Sequence, residues 1–183
     1  MYPSFAAASA LSIYLKSRGV LLATLAFTMS LGLQYENMDY LTLYSETFCL
    51  IVNQDHPLAK REKVQISELS SDSFVFIDRN ESPYVYDYLL ALLTNNGISP
   101  NIVSQPERID TVLLLVEAGV GITVMPKHLI VYENPALRFL EIEGGNEDIT
   151  IDIVATWKKT NLNPTISLFL KELNTLNFEQ IVP

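Results

Sequence analysis

The stretch Leu113-Leu114-Leu115-Val116-Glu117-Ala118-Gly119-Val120-Gly121-Ile122-Thr123-Val124-Met125-Pro126 decides the fold. It begins as the end of an apolar helix. Gly119 stands just past that helix, where the chain takes a left-handed conformation that costs glycine nothing. Gly121 lets the backbone bend tightly into Ile122–Met125, which is apolar and β-branched enough for a buried strand. Pro126 has no N–H to give a ladder and ends the strand. Helix, glycine turn and strand in that order belong to an α/β protein.

Working outward, Ile109–Ala118 is the helix feeding this turn, and Asn101–Ser104 is a strand before it. Ser82 suits a helix N-cap and Pro83 the first turn. Tyr84/Val85, Tyr88/Leu89 and Leu92/Leu93 then form an apolar stripe that reads as core, and Gly97 stops the helix. Ser73–Asp78 is a strand and Asp55-His56-Pro57 a turn, with His56 read as paired to nearby backbone. Tyr40–Tyr44 leads to Phe48–Val52, an unbroken apolar run that suits a strand covered on both faces. On the other side, His128 follows Pro126 as a surface histidine, and Leu137–Ile142 is a strand. Gly144-Gly145-Asn146 is a turn. Ile149-Ile151-Ile153-Ala155-Trp157 alternates as a strand does, and Asn163-Pro164 opens a final amphipathic helix to Leu176. Repeated βα units of this length predict an open, largely parallel sheet with helices on both faces.

Composition narrows the function. The chain has 183 residues, 49% of them hydrophobic and 18% charged, which suffices for one domain or two small lobes with a sizeable core. A formal net charge of −9 argues against nucleic-acid binding by the chain itself, because counterion release needs a basic surface. The single cysteine, Cys49, excludes an internal disulfide, fits a reducing compartment, and reads as a small buried hydrophobe. No glycine-rich dinucleotide motif, P-loop or nucleophile elbow is present. The two histidines and one cysteine lie on different elements and make no metal site. The 21 acidic residues show no spacing that singles out an acid/base pair. No residue nominates itself as a catalyst, and the chain reads as a non-enzyme with no cofactor.

Four landmarks, in register, resemble one family. The opening stretch is similar to the "VaaGlGiallP" signature in the effector-binding domain of LysR-type transcriptional regulators. Phe48-Cys49-Leu50-Ile51-Val52-Asn53-Gln54-Asp55-His56-Pro57-Leu58-Ala59 looks like that family's "lvlv…HPLA" segment. Ile66-Ser67-Glu68-Leu69 through Phe74-Val75-Phe76-Ile77, and the terminal Asn163-Pro164…Phe169-Leu170, keep the order and spacing. The resemblance covers about residues 40 to 178. Before that, Tyr2-Pro3 looks like the family's "yP" and Leu11…Leu15-Lys16-Ser17-Arg18-Gly19-Val20-Leu21 like "L…L..G.l". The aspartate that usually follows falls on Leu22 under strict spacing or Ala26 under looser spacing, and neither is acidic. The uncharged run Gly19–Leu33 after Lys16 and Arg18 also has the look of a signal-peptide core, without a clear cleavage site.

The resemblance implies an α/β, bilobal, type 2 periplasmic-binding-protein-like fold of two Rossmann-like lobes with a cleft between them. Lobe I would hold residues 1–46 and 153–183 and be incomplete at its start; lobe II would hold 47–152. It implies a ligand-sensing domain that binds a small effector and forms homo-oligomers, with dimers the family's habit. The reducing compartment read from Cys49 puts it in the cytoplasm, and the helix start at Ser82-Pro83 makes the expected effector an anion. The winged helix-turn-helix that reads DNA is not found in the sequence, so the chain looks like a fragment that does not bind DNA directly or associate with membrane. A stand-alone or exported solute-binding protein of the same fold is the alternative reading.

Open α/β sheets bind ligands outside the carboxyl ends of their strands. Here those ends are Thr28-Met29-Ser30, Asp78–Ser82, Ser104–Glu107 and Thr123–Pro126. The candidate effector contacts are therefore Thr28, Ser30, Arg79, Asn80, Ser82, Tyr84, Glu107 and Thr123. The helix start at Ser82-Pro83 has N–H groups suited to an anion, and Arg79 would add charge.

Overall fold

The computed structural model describes residues 25–30, 36–132, 134–144, 150–173 and 175. The readings made on Tyr2-Pro3, on Leu11–Leu22, on most of Gly19–Leu33, on Gly145-Asn146 and on the helix end at Leu176 lie outside those residues. Eight strands and three α-helices are described: β1 Ala26–Ser30, β2 Met38–Asn53, β3 Lys63–Gln65, β4 Ser73–Val75, α1 Pro83–Asn95, β5 Asn101–Ser104, α2 Ile109–Glu117, β6 Thr123–Pro126, β7 Leu137–Glu143, β8 Thr150–Lys158 and α3 Pro164–Leu173. Short 3-10 turns occupy Pro57–Lys60, Ile66–Ser71 and Lys127–Tyr132. The chain divides into two compact units, Met1–Glu46 with Ile151–Pro183, and Thr47–Thr150.

In the first unit β8 lies between β1 and β2, and β1 runs antiparallel to it from Ala26 opposite Thr156 to Ser30 opposite Asp152. The alternation along β8 buries Ile151, Ile153 and Ala155. Val154 and Thr156, on the opposite face, are buried as well, so this strand is covered on both sides. Thr156 satisfies its hydroxyl by donating to the Asp39 carbonyl at 3.0 Å. Asn163 caps α3 as its sequence suggests: its Oδ1 accepts from Thr165 N at 3.0 Å and from the Thr165 hydroxyl at 2.7 Å. Ile166 and Leu173, two turns apart on that helix, face the core.

In the second unit the run Phe48–Val52 is buried throughout, as an unbroken apolar strand should be. Its neighbours are not parallel strands, however. β6 and β7 flank the end of β2 and both run antiparallel to it, from Phe48 opposite Pro126 and from Cys49 opposite Glu141. Among the described strands, parallel pairing is confined to β3 with β7, β4 with β5, and a Phe74–Ile122 bridge. The expectation of a largely parallel sheet is thus corrected to a mixed one. Burial on both faces is what an all-apolar run reports, and cover on both sides gives it to an antiparallel strand equally well.

The two runs read as separate, Tyr40–Tyr44 and Phe48–Val52, are one 16-residue strand. No glycine or proline lies between Met38 and Asn53 to break it. The apolar cluster on one face of that strand joins Cys49 and Ile51 to Val75, Val112, Leu113, Val116, Met125, Leu129 and Leu137. α1 meets the other face, with Tyr88 stacked on Phe48 at 5.4 Å between ring centroids.

The deciding stretch folds as read, with one change of reason. Gly119 has φ +75°, and the N–H groups of Gly119 and Val120 close back on the carbonyls of Val116 and Leu115 at 2.9 and 3.0 Å. That is the Schellman pattern of a glycine-terminated helix. Gly121 needs no left-handed conformation. A Cβ there would stand 2.5 Å from the Ser73 carbonyl oxygen. Its lack of a side chain lets Ile122 exchange hydrogen bonds with β4: Ile122 N donates to Ser73 O and Val75 N to Ile122 O, each at 2.8 Å. His128 is half-buried in the turn after Pro126, not a plain surface group. His56 matches its reading, accepting from Leu58 N at 3.3 Å through Nδ1 while Nε2 meets Asp72 at 3.1 Å.

Candidate functional site

The loop from β4 to α1 is organised by Asp78. Its side-chain oxygen accepts from Asn80 N at 2.7 Å, and its carbonyl accepts from Glu81 N and Ser82 N at 3.1 and 3.2 Å. This is the turn that an aspartate two residues ahead of an asparagine builds by bonding its own following backbone. The same residue joins the neighbouring loop, since Asp78 N donates to Pro106 O at 2.9 Å. Arg79, Asn80, Ser82 and Tyr84 therefore share the carboxyl edge of β4 and β5 with Pro106 and Glu107. Sequence reasoning omitted Asp78 from the site, although the Asp-x-Asn spacing was legible.

Ser82 sits at the N-cap of α1, and Tyr86 N donates to its carbonyl at 3.0 Å. Its side chain makes no capping hydrogen bond. The expectation of an N-cap thus holds for the position and is corrected for the hydroxyl: a backbone at φ −144° and ψ 70° departs from the usual N-cap geometry. Tyr84 is 56% exposed. It leaves the apolar stripe, and Tyr86 packs on Phe76 instead, ring edge to face at 5.6 Å.

Arg79 is not a lone loop cation. It grips Asp87 on α1 with both arms, Nε to Oδ1 at 2.8 Å and Nη2 to Oδ2 at 2.9 Å. The hydrogen bonds from Arg79 hold the Asp87 carboxyl below its ordinary range, and the Asp87 carboxylate raises the guanidinium. The neighbouring loop repeats the device: Arg108, at the N-cap of α2, is paired with Asp110 at 2.6 Å. Asp87 was not visible as a partner in the sequence, because pairing across eight residues depends on helix phase, whereas Asp110 stands only two residues from Arg108.

The remaining candidates stand on other elements. Thr123 is buried at 1% exposure and opens β6, opposite Ile51. It stands at the amino start of its strand, one residue after the Ile122 bridge to β4. Thr28 and Ser30 belong to β1 in the other unit, where the Thr28 hydroxyl donates to Met29 O at 3.4 Å and Ser30 faces Asp152. Among the described residues no group of three or more His, Cys, Asp or Glu is placed to hold a metal ion, and no helix is long and apolar enough to cross a membrane.

Residues 23–176 match the model of the LysR substrate binding domain. The chain belongs to the LysR substrate-binding domain family. Its curated relatives include the HTH-type transcriptional regulator TtuA of Agrobacterium vitis, 28% identical over 142 residues that make up 76% of this chain and 46% of the relative. The Hca operon transcriptional activator HcaR of Escherichia coli is 27% identical over 133 residues, 73% of this chain and 44% of the activator. The LysR domain described here thus spans less than half the length of these relatives. Among solved structures, an OxyR cysteine mutant of Corynebacterium glutamicum superposes with a TM-score of 0.74 at 22% identity, covering 96% of this chain and 54% of that one. The effector-binding domain of QuiR, solved in complex with shikimate, superposes with a TM-score of 0.68 at 21% identity over 90% of this chain and 75% of that one. These likenesses establish the type 2 periplasmic-binding-protein-like fold.

Proposed function

We propose that this LysR-family chain is the effector-sensing part of a transcriptional regulator. On this reading a small anionic metabolite is read at the loop edge of Arg79, Asn80, Ser82, Tyr84 and Glu107. The family match over residues 23–176 carries the first half. The second half is supported by the loop itself: a helix start whose serine hydroxyl does not cap it, an arginine within four residues, and a second loop tied alongside through Asp78. N–H groups at a helix start favour an anion. Shikimate, the ligand of the QuiR domain, is a small carboxylate of the kind meant.

The regulator acts in the cytoplasm as a homo-oligomer, uses no catalysis, and contacts DNA through a module other than these residues. Exposed Phe27, Leu168 and Phe169 in one unit and Leu114 in the other supply apolar surface for self-association. Light scattering that returns only monomer in a concentrated sample would overturn the oligomeric part.

The sensing part is tested by melting the chain against a panel of small carboxylates and their neutral analogues. A ligand at about 100 times its dissociation constant stabilises a fold by about 2.7 kcal/mol, a plain shift in melting temperature. The shift should shrink in Arg79→Ala and Ser82→Ala. A ligand whose shift is unchanged in both variants binds elsewhere, and a panel without any shift sinks the reading.

A further inference from the structure

α1 carries one charged residue in its 13, Asp87, and that residue is turned onto Arg79. Four residues past Pro83, it lies on the same helix face as the first turn. One internal carboxylate thus already answers the guanidinium fork, the charged feature that would attract an anionic ligand. The edge of Arg79 that it occupies, Nε with Nη2, is an edge on which carboxylates pair side by side with arginine. Arg79 is 62% and Asp87 50% exposed, so water reaches the pair and exchanging one carboxylate for another requires little desolvation.

We propose that Asp87 is a built-in competitor for the effector: an incoming carboxylate takes the Arg79 fork by displacing Asp87, and Asp87 thereby sets the affinity and the charge selectivity of the loop. This rests on the reading of that loop as the anion site and adds its regulation. No bond is made or broken beyond hydrogen bonds, and the net exchange is one carboxylate for another. A neutral ligand gains nothing from the exchange and leaves the pair in place.

The test follows Arg79 Nε by NMR in 15N-labelled chain titrated with acetate, a minimal carboxylate, in parent, Asp87→Asn and Asp87→Ser. Arg61, paired with Glu68, and Arg108, paired with Asp110, serve as references within the same molecule. Removing the resident charge should lower the acetate midpoint at Arg79 about two- to fivefold, the range that exposed ion pairs support. The two reference resonances should titrate as in the parent, and acetamide should move none of them. Equal midpoints in parent and both variants overturn the proposal. So does an Arg79 resonance that acetate leaves unmoved in every variant, or a shift shared equally by the reference arginines. A metabolite found by melting, together with equal acetate midpoints, would sink the competition and leave the sensing site standing. A shifted midpoint with no metabolite in the panel would do the reverse.

Discussion

At the scale of single residues, the two glycines of the deciding stretch are held for different reasons and should fail differently. An alanine Cβ at Gly121 would meet the Ser73 carbonyl, which is backbone engaged in the β4 bridge and unable to swing aside. Overpacking of this kind costs about 1–3 kcal/mol. At Gly119 a Cβ meets nothing within 4 Å, but φ is +75°, so Gly119→Ala should cost about 1–2 kcal/mol through the left-handed backbone alone. Asparagine tolerates that conformation, so Gly119→Asn should recover part of the loss while Gly121→Asn should not. Urea unfolding of the four variants checks this, and recovery at both sites would contradict it. Ser82 gives a second contrast. Loss of a bonded N-cap costs about 1 kcal/mol. The Ser82 hydroxyl makes no such bond, so Ser82→Ala without ligand should stay within about 0.5 kcal/mol of the parent. A full-kilocalorie loss in the same unfolding assay would show the hydroxyl capping in solution.

At the scale of elements, what could be read from sequence was what local chemistry determines. The end of α2, the turn at Gly119 and the strand Ile122–Met125 were legible because each rests on a residue with one special property: positive φ, absent side chain, absent N–H. The direction of β6 and β7 against β2 was not, since an apolar run reports cover and not orientation. In the site, the turn at Asp78 was within reach of sequence, whereas the hold of Asp87 on Arg79 needed the phase of α1. The same limit hid the clamp at the 3-10 turn Ile66–Ser71. There Arg61 grips Glu68 through both arms at 2.6 and 3.1 Å, while Gln65 N donates to the same carboxylate at 2.9 Å. The Arg61 hydrogen bond first, and the Gln65 N–H second, hold the Glu68 carboxyl below its ordinary 4.5. A carboxyl lowered by folding stabilises the native state above its unfolded value, and that contribution is lost as pH falls through the folded value. Glu68→Gln should therefore flatten the fall in stability as pH drops below 4.5, with little change in slope above about pH 6. Urea midpoints collected from about pH 3 to about pH 7 test this. An unchanged acid limb would place the clamp's contribution at zero.

At the scale of the whole molecule, charge decides what this chain can touch. Twelve lysines and arginines stand against 21 acidic residues, a formal net charge of −9. DNA binding draws much of its affinity from counterions released when cations meet phosphates, so a protein needs uncommitted positive charge along one face. The pairings make the deficit worse than the sum. Arg61, Arg79 and Arg108 each sit against a carboxylate, and Lys63 lies between Glu141 at 3.0 Å and Glu143 at 3.1 Å. Each of these cations would have to leave an acidic partner before meeting a phosphate, and that partner would then face the phosphate with like charge. Long-range repulsion also slows the encounter itself, most strongly at low salt, where screening is weakest. Low ionic strength is therefore the stringent condition, because it favours ordinary DNA-binding proteins and disfavours this one. In a mobility shift at about 50 mM salt, the isolated chain should retain no duplex, and added effector should not change that. A sequence-selective complex formed by these 183 residues alone would show that a basic face exists which the pairings do not reveal.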